Sequence, residues 1–307
     1  MKDLIPSLGE ALQNEETIVV ATLVSATGTS SKKVGERMYV GASGRLIGGV
    51  TIGGCVDAQV IEAADALIDS GGRKLLSISL DDDEAWEIGL TCGGTVEVLI
   101  ERARPSDPSD PVVQAHQQAA TQLEAGEVAE LSSTLDDGRT FVERIAPPTT
   151  LLIVGAGEIA TSLARMAREL EFRTVVIDGR DRYATRERFP DADEIRVGMP
   201  SEIVATYRAT PQLAVVLVAH DYKYELPVLR ALLRSNVGYL GMLGSKKRGA
   251  AVREILKEEG FSDDELARVH TPIGINIGGK SPAEVAVSIL AEIIAARSGK
   301  LQSAAPV

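Results

Sequence analysis

The chain has 307 residues, enough for two domains that each bury a core of their own. Apolar residues make up 44% and charged residues 25%, as in ordinary globular proteins, and the net charge of -12 argues against a nucleic-acid binder. No apolar run approaches the roughly 20 residues that span a bilayer, and the first residues lack the basic start and apolar block of a secretory signal. We therefore expect a soluble, cytoplasmic protein without nucleic-acid or membrane partners, in which both cysteines are free thiols.

The N-terminal half alternates short β-rich runs with glycine turns. Hairpins are predicted to turn at residues 42–44 and at residues 136–138. Apolar residues at helical spacing predict one helix over residues 56–70, which ends at a pair of glycines, and another over residues 112–126. Further predicted strands are TIVVATLVSATG, KLLSISL and GTVEVLIER. These elements predict a small α+β domain.

After APPTT, residues 146–150, the pattern changes to alternating strands and helices. Buried strands are predicted at TLLIVGAG, RTVVIDGR, QLAVVLVAHD and VGYLGMLGS. Such alternation is typical of a doubly wound parallel sheet. We therefore predict an α/β chain in which an α+β domain over residues 1–147 precedes a Rossmann-like domain over residues 148–307.

The segment VGAGEIA has the spacing of a dinucleotide-binding turn. Gly155, Gly157 and Ala160 lie between a predicted strand and a predicted helix, and Asp178 ends the next strand. In this context the glycines admit phosphates to a helix N-terminus and the acid accepts ribose hydroxyls. NAD(P) is therefore a candidate cofactor. The alternative is a Rossmann-like turn that is kept only for helix packing.

The three histidines differ in their expected roles. His220 and its neighbour Asp221 follow a predicted strand, at the sheet edge where ligands of this fold bind. The alternative for this pair is a helix-capping Asp beside a hydrogen-bonded His. His116 lies in a polar helix and is expected to be solvated, while His270 is as well explained by a structural role.

Both cysteines lie beside paired glycines. Cys55 follows Gly53 and Gly54, and Cys92 precedes Gly93 and Gly94. No zinc spacing, Walker loop, nucleophile elbow or HExxH motif occurs in the sequence. The chemistry is therefore expected at the cysteines, at the nucleotide-type fold or on a bound partner, unless both thiols are simply small buried hydrophobes.

Stretches over nearly the whole chain resemble the XdhC/CoxI family of accessory proteins for molybdenum hydroxylases. In the N-terminal half these are ATLVSATGTSSKKVGERM, GRLIGGVTIGGCVDAQV and CGGTVEVLIE. In the C-terminal half they are LLIVGAGEIA, VAHDYKYELPVLRALL, GYLGMLGSKKR, EEGFSDDELARVHTPIG and INIGGKSPAEVAVSILAEIIAAR.

This resemblance implies a non-catalytic accessory protein with a Rossmann-like C-terminal domain. It would bind the molybdenum cofactor, as molybdopterin or its cytidine dinucleotide form, protect it during sulfuration and deliver it to a client such as xanthine dehydrogenase. A cysteine desulfurase is a further possible partner, and a homodimer is expected. The alternatives are an NAD(P)-dependent oxidoreductase that uses the Rossmann site, with His220 as acid or base, and a pure protein–protein adaptor.

The family's glycine–cysteine motif maps onto Cys55 and its second Cys-Gly-Gly onto Cys92. Glycines beside a thiol let backbone N–H groups approach anionic oxygens, and a thiolate is a soft ligand suited to molybdenum. We therefore expect both cysteines to be reactive and Cys55 to contact the metal. Four residues depart from the family pattern: Ser31, Ile52, Asp57 and Asn276. These departures bear on the form of the cofactor and on the identity of the client.

The turn GSKKR completes the predicted site. Gly244 and Ser245 follow a predicted strand, so we expect them to share a crevice with His220 and Asp221. The basic residues 246–248 would give this crevice a positive rim suited to an anionic cofactor. The alternative is the solvated start of a helix.

Overall fold

The computed structural model describes residues 17–28, 34–49, 54–79 and 94–300. The chain divides into two compact units, Met1–Pro147 and Pro148–Val307. Within the described ranges, no helix combines the length and apolar character needed to cross a bilayer.

The N-terminal unit is built on a five-stranded antiparallel sheet in the order β3-β2-β1-β5-β4. A single turn of 3-10 helix, Ala42–Gly44, joins β2 to β3 at the predicted hairpin. The strands are β1 (Ile18–Gly28), β2 (Arg37–Val40), β3 (Leu46–Gly49), β4 (Arg73–Ser79) and β5 (Gly94–Ala103). The part of this unit that the structure describes also contains two helices, α1 (Gly54–Ser70) and α2 (Pro111–Glu124), and a hairpin of β6 (Ala129–Thr134) and β7 (Thr140–Ile145).

Strand β1 is buried on both faces, which explains its continuous apolar run. Val19 and Leu23 belong to the core shared with α1. Ile18 and Val20, which point to the opposite face, pack with Val113 of α2. The sheet therefore lies between two helices, one on each face.

The C-terminal unit is a six-stranded, wholly parallel sheet in the order β10-β9-β8-β11-β12-β13. Its strands are β8 (Thr150–Val154), β9 (Arg173–Asp178), β10 (Glu194–Val197), β11 (Leu213–Leu217), β12 (Tyr239–Met242) and β13 (Val269–His270). Its helices are α3 (Glu158–Glu169), α4 (Pro200–Val204), α5 (Tyr222–Leu232), α6 (Lys246–Glu258), α7 (Asp263–Ala267) and α8 (Pro282–Arg297). The predicted fold class, a Rossmann-like parallel sheet preceded by a smaller α+β domain, is confirmed.

Helices cover both faces of the parallel sheet. Helices α3 and α8 share one core with it, and helices α4 to α7 share the other. The chain runs outward from β8 to β10 in one direction and from β11 to β13 in the other. The order therefore reverses between β8 and β11, and in doubly wound sheets ligands bind beyond the carboxyl ends of the strands at such a point.

Candidate functional site

Gly155 lies where the two halves of the parallel sheet diverge. Its φ is +111°, and a Cβ there would lie 2.6 Å from the backbone nitrogen of Ala219, which follows β11. Its own N–H donates to the Ile177 carbonyl at 2.8 Å. Only glycine combines this left-handed conformation with this close approach, so the turn after β8 is held against the turn after β11.

Gly157 meets a different environment. It is the N-cap of α3, its φ is -87°, and a Cβ there would have nothing within 4 Å. No side chain caps α3 or the five-residue α4, whereas α5, α6, α7 and α8 are capped by Asp221, Ser245, Ser262 and Ser281 within the described part of this unit. The first turn of α3 thus offers N–H groups and open space together, which suits the phosphate of a bound anion.

Asp178 ends β9 as predicted, but its carboxylate is already engaged within the chain. Its side chain is fully buried. One oxygen accepts from the Ala156 N–H at 2.8 Å and from Arg180 Nη2 at 2.8 Å. The other accepts from the N–H and Nε of Arg180, both at 2.9 Å. Burial alone would raise the pKa of Asp178, but these hydrogen bonds more than offset it and lower the pKa below its usual value.

The Arg180 guanidinium therefore covers the Asp178 carboxylate. It also lies over the Tyr183 ring, 4.1 Å from the centroid, and is about half exposed. A ribose hydroxyl can reach Asp178 only if Arg180 moves. In the structure this acid holds the glycine turn through Ala156, and its assignment to ribose stays a prediction.

His220 and Asp221 lie beyond β11, at the predicted edge. His220 is exposed and adopts φ +54°, uncommon for a residue with a side chain. Asp221 caps α5 by accepting the Lys223 N–H at 2.9 Å. The capping role that the sequence left open for Asp221 is thus observed, and the exposed imidazole of His220 lies beside it.

Gly244 and Ser245 follow β12, the neighbour of β11. Ser245 caps α6 by accepting the Arg248 N–H at 3.2 Å. The Arg248 guanidinium lies 4.0 Å from the centroid of the Tyr222 ring, at the start of α5. The turns that follow β11 and β12 therefore lie at one edge of the sheet, as the predicted crevice requires.

Arg248 does not belong to the predicted positive rim. Its side chain is 20% exposed and pairs with Glu225 of α5, whose side chain is fully buried. Arg248 Nε and Glu225 Oε1 have no hydrogen-bond partner among the described residues. Of the three basic residues at this turn, Lys246 and Lys247 remain exposed. Glu225 was missed from the sequence, although an acid on the apolar stripe of α5, with residues 228, 229 and 232, was the available signal.

His270 has a structural environment. Its ring stacks on Tyr239 with centroids 4.8 Å apart, and its Nδ1 lies 3.8 Å from Glu292 Oε1. Glu292 also accepts from the Tyr239 hydroxyl and from the Gly274 N–H. Burial lowers the pKa of His270 in spite of the nearby carboxylate.

The expectation that His116 is solvated is wrong. The side chain of His116, on α2, is half-buried, and its Nδ1 lies 2.8 Å from the Val112 carbonyl oxygen. Burial, reinforced by the charge of Arg37, lowers the pKa of His116 to about 4.

The cysteine motifs lie largely outside the described residues. Cys92, Gly93 and Gly53 lie outside the described residues, and for Cys55 the backbone alone is described, at the second position of α1. Gly94 begins β5 with φ +144°, opposite Gly28 of β1. No group of three metal-ligating side chains occurs in the described ranges. The assignment of Cys55 to a metal stays a prediction.

Comparison with known proteins agrees with this architecture. The family model for the XdhC Rossmann domain matches residues 151–293, and the model for the XdhC and CoxI family matches residues 11–79. A crystal structure of a xanthine dehydrogenase from Bacillus halodurans superposes with a TM-score of 0.79 at 26% identity, over 100% of this chain and 98% of that one.

Two curated relatives also match over most of their length. A probable xanthine dehydrogenase subunit of Bacillus subtilis is 29% identical over 94% of this chain and 96% of its own. The molybdenum cofactor insertion chaperone PaoD of Escherichia coli is 27% identical over 94% of this chain and 86% of its own. Together with the two family models, which cover both units, these matches show that the chain belongs to the XdhC and CoxI family.

Proposed function

We propose that this protein is a non-catalytic maturation factor that binds the molybdenum cofactor, protects it during sulfuration and delivers it to a molybdenum hydroxylase such as xanthine dehydrogenase. The relative named as a molybdenum cofactor insertion chaperone aligns over 94% of this chain, so both units take part in the similarity. The relative named as a xanthine dehydrogenase subunit supports the same class of client.

The observation that carries the proposal is the open start of α3. Helices α5, α6 and α8 use a side chain as cap, yet α3 begins at a bare glycine with open space beside it. An anionic cofactor end, such as the phosphate of molybdopterin or the diphosphate of its cytidine dinucleotide form, fits this feature. Gly157 would admit the phosphate, while His220 and the Lys246–Lys247 pair would border it.

The cysteines would act on the metal centre of the cofactor. Cys55 is the second residue of α1, where the helix dipole favours a thiolate, and a thiolate is a soft ligand for molybdenum. When bound, the cofactor supplies the oxygen-sensitive metal centre, and the chain contributes a thiol and backbone N–H groups that hold and shield it. Cys92 would contribute the second thiol. A cysteine desulfurase would be the sulfur-donating partner, and a homodimer the working assembly.

The engaged carboxylate of Asp178 favours this function over an NAD(P)-dependent oxidoreductase. A dehydrogenase of this fold uses the acid after the second strand to hold ribose hydroxyls. Here both of its oxygens accept from Ala156 and Arg180. Binding of NAD(P) would require that ion pair to open first.

The first experiment tests the α3 turn. Protein purified from a molybdate-fed host is oxidised in acid, and pterin fluorescence reports the retained cofactor. Gly157→Val places a branched side chain in the phosphate space, so we expect retention to fall at least tenfold while folding is kept. The matched control is Ala231→Val, which adds the same branching at an exposed position in the last turn of α5, at the opposite edge of the sheet. Full retention by a folded Gly157→Val protein would place the ligand elsewhere.

The second experiment tests the thiols by measuring client hydroxylase activity, molybdenum and sulfido content after maturation by each variant. Cys55→Ala removes one sulfur and little volume, so client activation should fall steeply. Cys92→Ala should have a weaker effect if both thiols share one site. Full client activation by Cys55→Ala would contradict the role of this thiol as a ligand.

A further inference from the structure

The turn that follows β9 lies where the strand order of the parallel sheet reverses. It begins at Gly179, where a Cβ would clash with the hydroxyl group of Tyr224 in the first turn of α5. Asp178, the last residue of β9, accepts from the N–H of Ala156, which lies between the two glycines after β8. The turns after β8 and β9 and the start of α5 therefore meet at the place where a Rossmann-like sheet holds the ribose of a dinucleotide.

Arg180 contacts both oxygens of Asp178 along one edge of its guanidinium. Nε donates to Oδ1 at 2.9 Å, and Nη2 donates to Oδ2 at 2.8 Å. The Arg180 N–H donates to Oδ1 as well, and the Ala156 N–H donates to Oδ2. These four hydrogen bonds use about all the lone pairs that two carboxylate oxygens offer. While Arg180 stays in place, a ribose hydroxyl therefore finds no acceptor at Asp178.

The opposite edge of the Arg180 guanidinium faces outward. The side chain is 48% exposed, and its plane is held over the Tyr183 ring, 4.1 Å from the centroid. Within the described ranges, its Nη1 makes no hydrogen bond. A guanidinium donates and never accepts, and its two outer N–H groups match the spacing of phosphate oxygens. The turn thus presents donors for a phosphate where a dinucleotide-binding turn presents an acceptor for a ribose.

We propose that Arg180 determines which form of the molybdenum cofactor the Rossmann turn takes. The turn takes a cofactor that ends in a phosphate monoester, as molybdopterin does, and rejects one that continues into a nucleoside, as the cytidine dinucleotide form does. The outer edge of Arg180 donates to the terminal phosphate, whereas the ribose of the longer form meets the occupied carboxylate of Asp178. The inference rests on the proposed function, which leaves both forms open.

The first test measures whether Arg180 keeps ribose out, with the full chain and NAD⁺, which carries a diphosphate and free ribose hydroxyls. In calorimetric titration, Arg180→Ala should bind NAD⁺ at least about tenfold more tightly than the wild type, because hydrogen bonds from ribose to a freed carboxylate are charge-assisted. Asp178→Asn added to Arg180→Ala should remove the gain. The matched control is Arg182→Ala, an exposed arginine of the same turn, which should leave the affinity unchanged. No gain in Arg180→Ala, or an equal gain in Arg182→Ala, would overturn the inference.

The second test identifies the retained form. Wild-type protein is purified from a molybdate-fed host that makes both forms, and the CMP released by hydrolysis is measured per pterin. We expect less than about one CMP per ten pterins in the wild type and a several-fold higher ratio in Arg180→Ala. One CMP per pterin in the wild type would overturn the inference and leave the proposed function standing. A wild type without pterin would contradict the proposed function, and the NAD⁺ titration would still decide the role of Arg180.

Two further ligand measurements guard against misfolding and against another source of phosphate. Arg180→Lys keeps the charge but cannot contact both oxygens of Asp178 side by side, so its NAD⁺ affinity should rise by a smaller factor than that of Arg180→Ala. Thermal unfolding of each variant checks that it is folded, and if Arg180→Ala is not, an unchanged affinity in Arg180→Lys would contradict the inference. NADP⁺ that binds the wild type at least about tenfold more tightly than NAD⁺ would show that Arg180 holds a ribose 2′-phosphate, which also contradicts it.

Discussion

Gly155 and Gly157 stand two residues apart in one turn, yet the fold constrains them differently. Gly155 has φ +111° and would bring a Cβ to 2.6 Å from the Ala219 backbone nitrogen, whereas Gly157 has an ordinary φ and open space. The first glycine is required by the protein itself, and the second is free for a ligand.

We expect Gly155→Ala to lower the free energy of unfolding by about 3 kcal/mol, through the strained φ and the backbone clash. Gly157→Ala should stay within about 1 kcal/mol of the wild type, since glycine and alanine differ little there beyond helix-start preferences. Urea unfolding of both variants checks this. Equal losses would show that the turn tolerates a Cβ at Gly155 or rejects it at Gly157.

Asp178 predicts an acid dependence of stability. Its folded-state pKa is lowered by the hydrogen bonds from Arg180 and Ala156, against the effect of burial. A group of this kind contributes stability above its unfolded pKa of about 3.9, and that stability is lost as the pH falls through the folded value. Asp178→Asn should therefore be less stable near pH 6, and the gap to the wild type should narrow below about pH 4. Thermal unfolding between pH 3 and pH 7 measures this, and a constant gap would contradict it.

At the scale of elements, the ion pair between Glu225 and Arg248 joins the starts of α5 and α6. The pair is shielded on one side by Tyr222. Its Nε and Oε1 atoms, which have no hydrogen-bond partner in the described ranges, add a free-energy cost that apolar side chains would not carry. It therefore fixes the relative position of the two turns at the candidate crevice more than it stabilises the fold.

Removal of one partner should be costly, because it leaves a buried charge. We expect Arg248→Met to lower the unfolding free energy by about 3 kcal/mol, and Glu225→Leu added to it to restore most of the loss. Chemical denaturation of the single and double variants forms the cycle. A double variant no more stable than Arg248→Met would indicate that the pair does not couple these helices.

At the scale of the whole molecule, the described cores are divided between the two units. The two clusters of the C-terminal unit contain only residues from 151 onward, and the four clusters of the N-terminal unit contain only residues up to 145. Each unit therefore has the buried apolar surface of an independent domain.

Residues 148–307 expressed alone should accordingly unfold in one cooperative transition, with a midpoint within a few degrees of the same transition in the full chain. Differential scanning calorimetry of both proteins makes the comparison. A fragment without a cooperative transition would show that its core depends on the N-terminal unit.

The sequence by itself determined the strands β8, β9, β11 and β12 of the parallel sheet and the glycine turn, whereas the short strands β10 and β13 were not predicted. Strands β8, β9 and β11 are buried on both faces, so they read as unbroken apolar runs, and the alternation with helices predicts the parallel sheet. Gly155, Gly157 and Asp178 were located by spacing within that pattern, because local chain geometry sets this motif.

Only the tertiary structure decided which side chains face one another. The occupation of Asp178 by Arg180, the inward turn of Arg248 toward Glu225, and the burial of His116 beside Arg37 all depend on partners that the local pattern does not specify. His116 and Arg37 are 79 positions apart along the chain and meet because α2 packs over the sheet. From sequence alone, a polar residue on a helix is predicted to be exposed to solvent. Its burial depends on which layer packs over it, and only the tertiary structure shows that.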